Sequence, residues 1–336
     1  MRKDWIDRWR GILMICIVAF HVMGAIAFYC NVEANTAIAF CKNKLAMFHT
    51  KGFFVLSGIL WRSGLLFADF AIRKAKRLLV PYFVFGLAWA LLFVFLYRYF
   101  PCFNSSEMVF WKPFISVLLA NGWPDGIGFR VINALWFLPC LFLVEICYYW
   151  IDRFIPKTDY QIVLLPVCFA LDRLISKPDI FWSLNLVPRF LLFFILGRVF
   201  LKMDSCRNIK NIPKFVMLVF LMAASCYVPI VTKLSSFAGV SQWSDVIRSF
   251  CGVLASMLVA QLISLKFLAV VGKYTIGILV THKAFILILQ LVKIRIEHPV
   301  TALLIACAWS LVVCIISLIA ARILQRYCKW TLGEYI

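Results

Sequence analysis

The 336-residue chain is 64% hydrophobic and only 15% charged, with a mean hydropathy of +0.94 and a formal net charge of +20. Soluble domains average roughly 45–50% apolar and 25% charged residues and must cover their cores with polar surface, so this composition excludes a water-soluble fold and assigns the chain to lipid. Lys and Arg are spread between apolar runs rather than gathered in one basic domain, which excludes a nucleic-acid-binding module and leaves membrane topology as the explanation of the charge.

The chain opens on MRKDWIDRWR and continues into an apolar run from Gly11 to about Cys30 without a small-residue cleavage site. At ~1.5 Å per residue, a run of ~20 residues crosses ~30 Å of hydrocarbon, so the segment predicts a retained first membrane helix rather than a cleaved signal peptide. Further apolar stretches follow at 46–66, 80–97, 134–151, 160–175, 182–201, 215–232, 246–265, 274–292 and 299–321. Charged or Pro-, Gly- and Ser-containing joints separate them. The predicted fold class is all-α, a polytopic integral membrane bundle of about ten transmembrane helices, the fifth being the weakest. The thirteen cysteines lie mainly in apolar runs with no CxxC and no Cys/His ligand spacing. They read as small hydrophobes rather than metal ligands, with a Cys30–Cys41 bridge as a minor alternative.

Orientation follows from the basic residues. With the N-terminus inside, the 35 Lys and Arg divide 21 to 12 between inner and outer segments, leaving Lys51 and Lys283 inside helices. This excess predicts cytoplasmic N- and C-termini. The longest polar stretch, about 98–133, is an outer loop, and no internal repeat or phosphate-binding glycine loop is visible.

Arg10 and His21 are eleven residues apart, almost three full turns at ~3.6 residues per turn, so both project from one face of the first helix. Asp7 lies one turn before Arg10. The plainer reading makes Asp7 and Arg10 interfacial anchors and His21 a packing histidine, but ionisable groups inside a membrane are costly and mark functional sites. The second predicted helix carries FHTKGFFVLSG, with His49 and Lys51 near its outer end. Gly52, Ser57 and Gly58 there permit close helix approach, Lys51 is free to snorkel outward, and His49 is a second candidate for the polar cavity.

The next segment, FADFAIRKAKRLLVPYFVF, reads as an inner loop presenting Arg73, Lys74, Lys76 and Arg77. Two readings stand beside each other: a topology and lipid-contact signal, or a clamp for a phosphate-bearing donor such as coenzyme A. Later come NALWFLP with Trp136, then Glu145, Asp172, Arg173 and Arg189, and finally GKYTIGILVTH ending at His282. Trp136 suits the aromatic belt. Glu145, Asp172 and Arg189 read as buried partners of other charges, and His282 as a weaker candidate for the cavity.

Taken in order, these segments resemble the membrane acyltransferase-3 family. DRWRGILMICIVAFH is similar to its first-helix signature of an Asp, an Arg-Gly pair and a His, here Asp7, Arg10, Gly11 and His21. FHTKGFFVLSG, RKAKRLLVPYFVF, ALWFLPCLFLVE and GKYTIGILVTH resemble its second-helix, basic, Trp-Phe-Leu and late-helix motifs. Thr50, Lys51 and Lys283 depart from the family pattern and bear on acceptor specificity. The resemblance implies a single domain over residues 1–336, an O-acyltransferase in a bacterial inner membrane. It takes acetyl from cytoplasmic acetyl-coenzyme A, with no metal, and passes it to a sugar hydroxyl of a surface or exported glycan.

For that chemistry a neutral imidazole, with a reference pKa of ~6.5, suits the base that takes the hydroxyl proton, and His21 is the candidate. A covalent acyl-His variant is the alternative. Arg10, His49 or a backbone amide would stabilise the oxyanion, and Asp7 would orient Arg10. Arg73, Lys76 and Arg77 would hold the donor phosphates, while His49, Trp136, Glu145 and His282 form the candidate substrate-binding set. The rival readings are a glycolipid or polysaccharide transporter or flippase, and a membrane sensor without catalysis. No paired halves with interrupted helices support the first of these.

Overall fold

A computed structural model of the chain describes residues 4–29, 37–99, 110–120, 134–175, 181–200, 211–226, 240–291, 296 and 298–334. Among the described residues the regular structure is helical, without strands. In chain order the helices are α1 (Asp4–Tyr29), α2 (Ala37–Ile59), α3 (Phe67–Tyr99), α4 (Lys112–Leu119), α5 (Phe137–Phe154) and α6 (Leu164–Leu174). They continue as α7 (Val187–Phe200), α8 (Asn211–Cys226), α9 (Val240–Leu262), α10 (Lys266–Lys273), α11 (Thr275–Leu291) and α12 (Pro299–Tyr327). In a hydrocarbon environment a chain must satisfy its backbone groups internally, which for a segment that spans alone means a helix.

Each of the ten apolar stretches falls on a helix, and α4 and α10 are additional eight-residue helices. Length and apolarity alone qualify five spans among the described residues, four within α1, α3, α9 and α12 and one, Phe181–Val199, that joins a 3-10 turn to α7. A sixth arises if α10 and α11, which meet at 88°, are one broken span. The other four, α2, α5, α6 and α8, are shorter or carry more charge. The Lys side chains of α2 and the charged residues of α5 make internal contacts that hydropathy does not register.

Two boundaries differ from the sequence expectation in a way that matters. Helix α2 begins nine residues earlier than its apolar stretch, so Lys42 and Lys44 belong to it. The basic segment 73–77 is not a loop but the second and third turns of the 33-residue α3. Ala, Lys, Arg and Leu are strong helix formers, and the first turns of a helix tolerate them at an interface. Pro81 lies inside α3 and has no N–H for the carbonyl of Arg77 four residues back. Cys30 lies outside the described residues, and Cys41 is a free thiol. Much of the long outer segment 98–133 also lies outside them.

Helix α1 is the axis of the bundle. Trp9, Leu13, Met14, Ile17, Val18, Val22 and Ile26 are buried along it, and it packs against α2, α9, α10, α11 and α12. Two reciprocal glycine contacts set the tightest crossings. A Cβ on Gly11 would collide with the carbonyl of Leu268 in α10, and one on Gly272 with the carbonyl of Asp7 in α1. In the same manner Gly58 of α2 faces the Phe194 carbonyl of α7, and Gly197 of α7 faces that of Val55. Helices in lipid gain from such close backbone approach because van der Waals packing replaces the hydrophobic drive available in water.

Polar ties fix the arrangement around this axis. Trp9 donates through Nε1 to Ser256 Oγ at 2.9 Å, and Arg8 Nε donates to the Ala260 carbonyl at 2.9 Å, holding α1 to α9. Trp89 Nε1 donates to the Val280 carbonyl at 3.1 Å, holding α3 to α11.

Candidate active site

Three of the chain's four histidines meet inside the bundle. His21 comes from α1, His49 from α2 and His282 from α11. The His21 and His282 rings lie 5.4 Å apart between centroids and are tilted by 38°. Phe20 bridges to the third, with its ring 5.1 Å from His21 and 5.0 Å from His49. His49 and His282 are buried.

The hydrogen bonds of the two buried rings fix their chemistry in part. His282 Nδ1 lies 3.0 Å from the Ile278 carbonyl, one turn back on α11. A carbonyl can only accept, so Nδ1 carries the proton and the neutral ring presents Nε2 as an acceptor. His49 Nδ1 lies 2.7 Å from Thr50 Oγ1. If the hydroxyl donates, the His49 Nε2–H becomes a free donor. Neither Nε2 atom has a hydrogen-bond partner, although both are buried. Buried polar atoms are nearly always paired in folded proteins, so two orphans in one imidazole cluster, on His49 and His282, make it the candidate place for a ligand.

Cations surround this cluster. Lys42 lies seven residues before His49, which puts both on one face of α2, and its Nζ sits 5.5 Å from the Phe20 ring centroid. Lys283 follows His282 directly. The charged groups and imidazoles acting on His21 are Lys283, His282, His49 and Lys42. Lys51 does not snorkel outward as the sequence allowed. It donates to the Met47 carbonyl at 2.8 Å and to Ser249 Oγ of α9 at 2.9 Å, because its position two residues after His49 turns it away from α1. Beyond it, Asp172 of α6 accepts from Arg189 Nε at 3.1 and 3.2 Å and from Arg173 at 3.3 Å.

The other predicted site residues occupy separate places. Arg10 pairs with Asp7 through Nη1 and Oδ1 at 3.4 Å. Asp7 is buried where α1 crosses α10. Because α1 is one continuous helix, Arg10 and His21 share a face as the spacing predicts but lie about 16 Å apart along it. Its guanidinium turns back toward Asp7, away from the imidazoles. Of the oxyanion donors weighed from the sequence, the structure brings His49 to His21 and leaves Arg10 a level below.

Arg73, Lys76 and Arg77 are exposed on α3, and the Lys76–Arg77 backbone packs against Gly333 near the end of the chain. Glu145 joins this group rather than the imidazoles. Its Oε1 lies 2.7 Å from Lys74 Nζ, and Arg77 also acts on it electrostatically. Its Oε2 is buried without a hydrogen-bond partner. Trp136 sits at the start of α5 with its ring 5.6 Å from Phe190, in an aromatic cluster with Phe53, Phe54 and Phe137. Its half-buried ring thus packs against aromatic side chains of the bundle at a helix end.

Sequence reasoning missed Lys42 as a neighbour of the imidazole cluster. Its i, i+7 relation to His49 was a usable signal, obscured by its place before the apolar stretch. The charges thus form two levels, an Asp7–Arg10 and α3 group below and an imidazole–lysine group above. Among the described residues no cluster of three His, Cys, Asp or Glu side chains is arranged to hold a metal ion.

A family model described as an acyltransferase domain matches residues 3–319, nearly the whole chain. No curated protein and no solved structure matches. An all-α membrane bundle that follows the acyltransferase model from its first helix into α12 belongs to the acyltransferase-3 family.

Proposed function

We propose that this acyltransferase moves an acetyl group from cytoplasmic acetyl-coenzyme A to a sugar hydroxyl of a surface or exported glycan, with His21 as the base. The observation that supports the reading is the convergence of three imidazoles from α1, α2 and α11, two of which hold buried Nε2 atoms without partners. Neutral imidazoles suit proton transfer between a hydroxyl and a thioester because they both accept and donate near neutral pH. The family membership favours transfer over the transporter reading.

In this scheme the acceptor oxygen attacks the thioester carbonyl carbon while His21 takes the hydroxyl proton. The new C–O ester bond forms, the C–S bond breaks, and the proton passes to the departing thiolate. His49, with Thr50 donating to its Nδ1, supplies an Nε2–H to the developing oxyanion. His282, with Nδ1–H held by Ile278, offers Nε2 to orient the incoming hydroxyl. Arg73, Lys76 and Arg77 bind the donor phosphates at the cytoplasmic face, where Arg offers bidentate contacts. Arg10, held by Asp7, lies between that face and the imidazoles, along the course of the donor's long pantetheine arm. Glu145 positions Lys74 at the same entrance, and Trp136 supports the packing of α5 against α7.

The test is transfer of label from radiolabelled acetyl-coenzyme A to glycan by the full chain in proteoliposomes. Labelled glycan whose acetyl is released by mild base, as an ester is, supports the reading. Absence of transfer from acetyl-coenzyme A, with transfer from another thioester, would change the acyl group. Absence of transfer from any thioester would overturn it.

A further inference from the structure

Most cations near the bundle interior have an evident counterion. Arg10 faces Asp7, Lys74 faces Glu145, Arg189 faces Asp172 and Arg248 faces Asp245. Lys51 is satisfied by a carbonyl and a hydroxyl. Lys42 and Lys283 are different. They come from two helices, α2 and α11, act on each other electrostatically, and both act on His21. No described carboxylate lies within ion-pair distance of either.

Both side chains are only partly accessible, so water screens their repulsion less than at a free surface. Lys42 does not extend away from the cluster. Its Nζ stays beside the Phe20 ring and over Gly24 of α1, where an added Cβ would lie 3.5 Å from it. Gly24 therefore leaves room on α1 for the ammonium, one turn beyond His21. Two cations from different helices that both act on His21, one of them with its Nζ seated against Phe20 and Gly24 of α1, form a place whose electrostatics an anion completes.

We infer that Lys42 and Lys283 form a subsite for an anionic group, a carboxylate or a phosphate, carried by the acyl acceptor. The inference rests on the acyl-transfer reading and narrows its acceptor to acidic sugars. The donor also carries phosphates, but its basic docking residues on α3 belong to the lower level with Asp7 and Arg10. An ammonium is a point charge that accepts either anion without a fixed bidentate geometry, so both acidic classes fit. The anion would hold the sugar with its hydroxyl beside His21 and would reduce the repulsion between the two lysines.

The experiment uses the full chain in nanodiscs of zwitterionic lipid, with acetyl-coenzyme A and three acceptors: a methyl glucuronide, a hexose phosphate and a methyl glucoside. The wild type should acetylate an acidic acceptor with a KM at least about 10-fold below that of the neutral one, as expected for a charge-assisted contact. Lys42→Gln and Lys283→Gln should each remove most of that preference while leaving the KM for acetyl-coenzyme A unchanged. Lys42→Arg, which keeps the charge, should retain it. Equal acetylation of acidic and neutral sugars by the wild type would overturn the inference. A rise in donor KM in the Gln variants would assign the lysines to coenzyme A instead. Loss of the preference on adding phosphatidylglycerol, with transfer otherwise intact, would assign the anion to lipid. Should no acceptor be acetylated, the transfer reading fails separately, and thermal stabilisation of the purified protein by each sugar decides the subsite. Lysine-dependent stabilisation by the acidic sugars alone supports it, and equal or absent stabilisation overturns it.

Discussion

His21 of α1 and His282 of α11 face each other with ring centroids 5.4 Å apart, although they are separated by most of the chain. The contact depends on α10, whose Gly272 backs onto the Asp7 carbonyl and whose 88° turn into α11 carries His282 alongside α1. It also sets two imidazoles in competition for one role. His282 has its Nδ1 proton fixed on a carbonyl, as a base commonly does, while His21 lies where both lysines act on it.

His21→Ala is expected to lower acyl transfer by roughly 10²-fold or more, the size associated with loss of a general base. His282→Ala and His49→Ala should cost less, because they orient and stabilise rather than take the proton. Initial rates on equal amounts of folded, membrane-inserted protein check this. A greater loss in His282→Ala than in His21→Ala would move the base to α11, and full activity in all three would end histidine base catalysis here.

At the lower level, Arg73→Gln with Arg77→Gln should raise the KM for the donor about 10-fold while leaving that for the acceptor nearly unchanged. Lost phosphate contacts weaken binding of the group that bears the phosphates. Titration of each substrate at a saturating level of the other gives the answer. An unchanged donor KM would reduce the exposed basic turns of α3 to a topology signal.

Much of this arrangement was legible in the sequence. The shared face of Arg10 and His21 follows from helical spacing alone, and the ionisable groups in apolar runs flagged His21, His49 and His282 without geometry. The pairing of those groups was not legible. That Glu145 meets Lys74, or that His282 rather than Arg10 stands beside His21, depends on helix crossings set by Gly11, Gly58, Gly197 and Gly272, and one chain gives no register between distant helices. Hydropathy also hid the first third of α2, because Lys42 and Lys44 count as interface in a sliding window while Lys42 in fact turns toward α1.

The Lys74–Glu145 pair offers a structural test. Glu145 is buried and its second oxygen has no hydrogen-bond partner, so Lys74→Met should destabilise the protein by about 3–5 kcal/mol, the usual effect of stranding a buried charge. The double change Lys74→Met with Glu145→Leu should recover most of that, since no unpaired ion remains. Thermal unfolding in detergent reads both. Equal stability of wild type and Lys74→Met would mean that Glu145 has no need of its partner.

Orientation is tested by reporters. Fusions truncated after Ser63 and after Trp111 should be active with a cytoplasm-only and an export-only reporter respectively, as the 21 to 12 excess of inner basic residues predicts. The reverse pattern would place the α3 basic turns outside, beyond reach of cytoplasmic coenzyme A.

The crossing of α1 and α10 makes the most local prediction. A side chain at Gly272 would meet the Asp7 backbone, which has no rotamer to yield, whereas one at Gly24 would meet only the flexible end of Lys42 at 3.4 Å. Gly272→Val should therefore force α10 off α1, at a cost on the order of 1–3 kcal/mol or more from overpacking. Because α10 leads directly into α11, the displacement would also draw His282 from His21, so the folded fraction that survives should show a transfer rate well below its share. Gly24→Ala should leave stability nearly unchanged. The measurements are melting temperature and specific activity on the monodisperse fraction of each variant. A Gly272→Val protein with wild-type melting and wild-type specific activity would show that the crossing does not hold the two imidazoles in place.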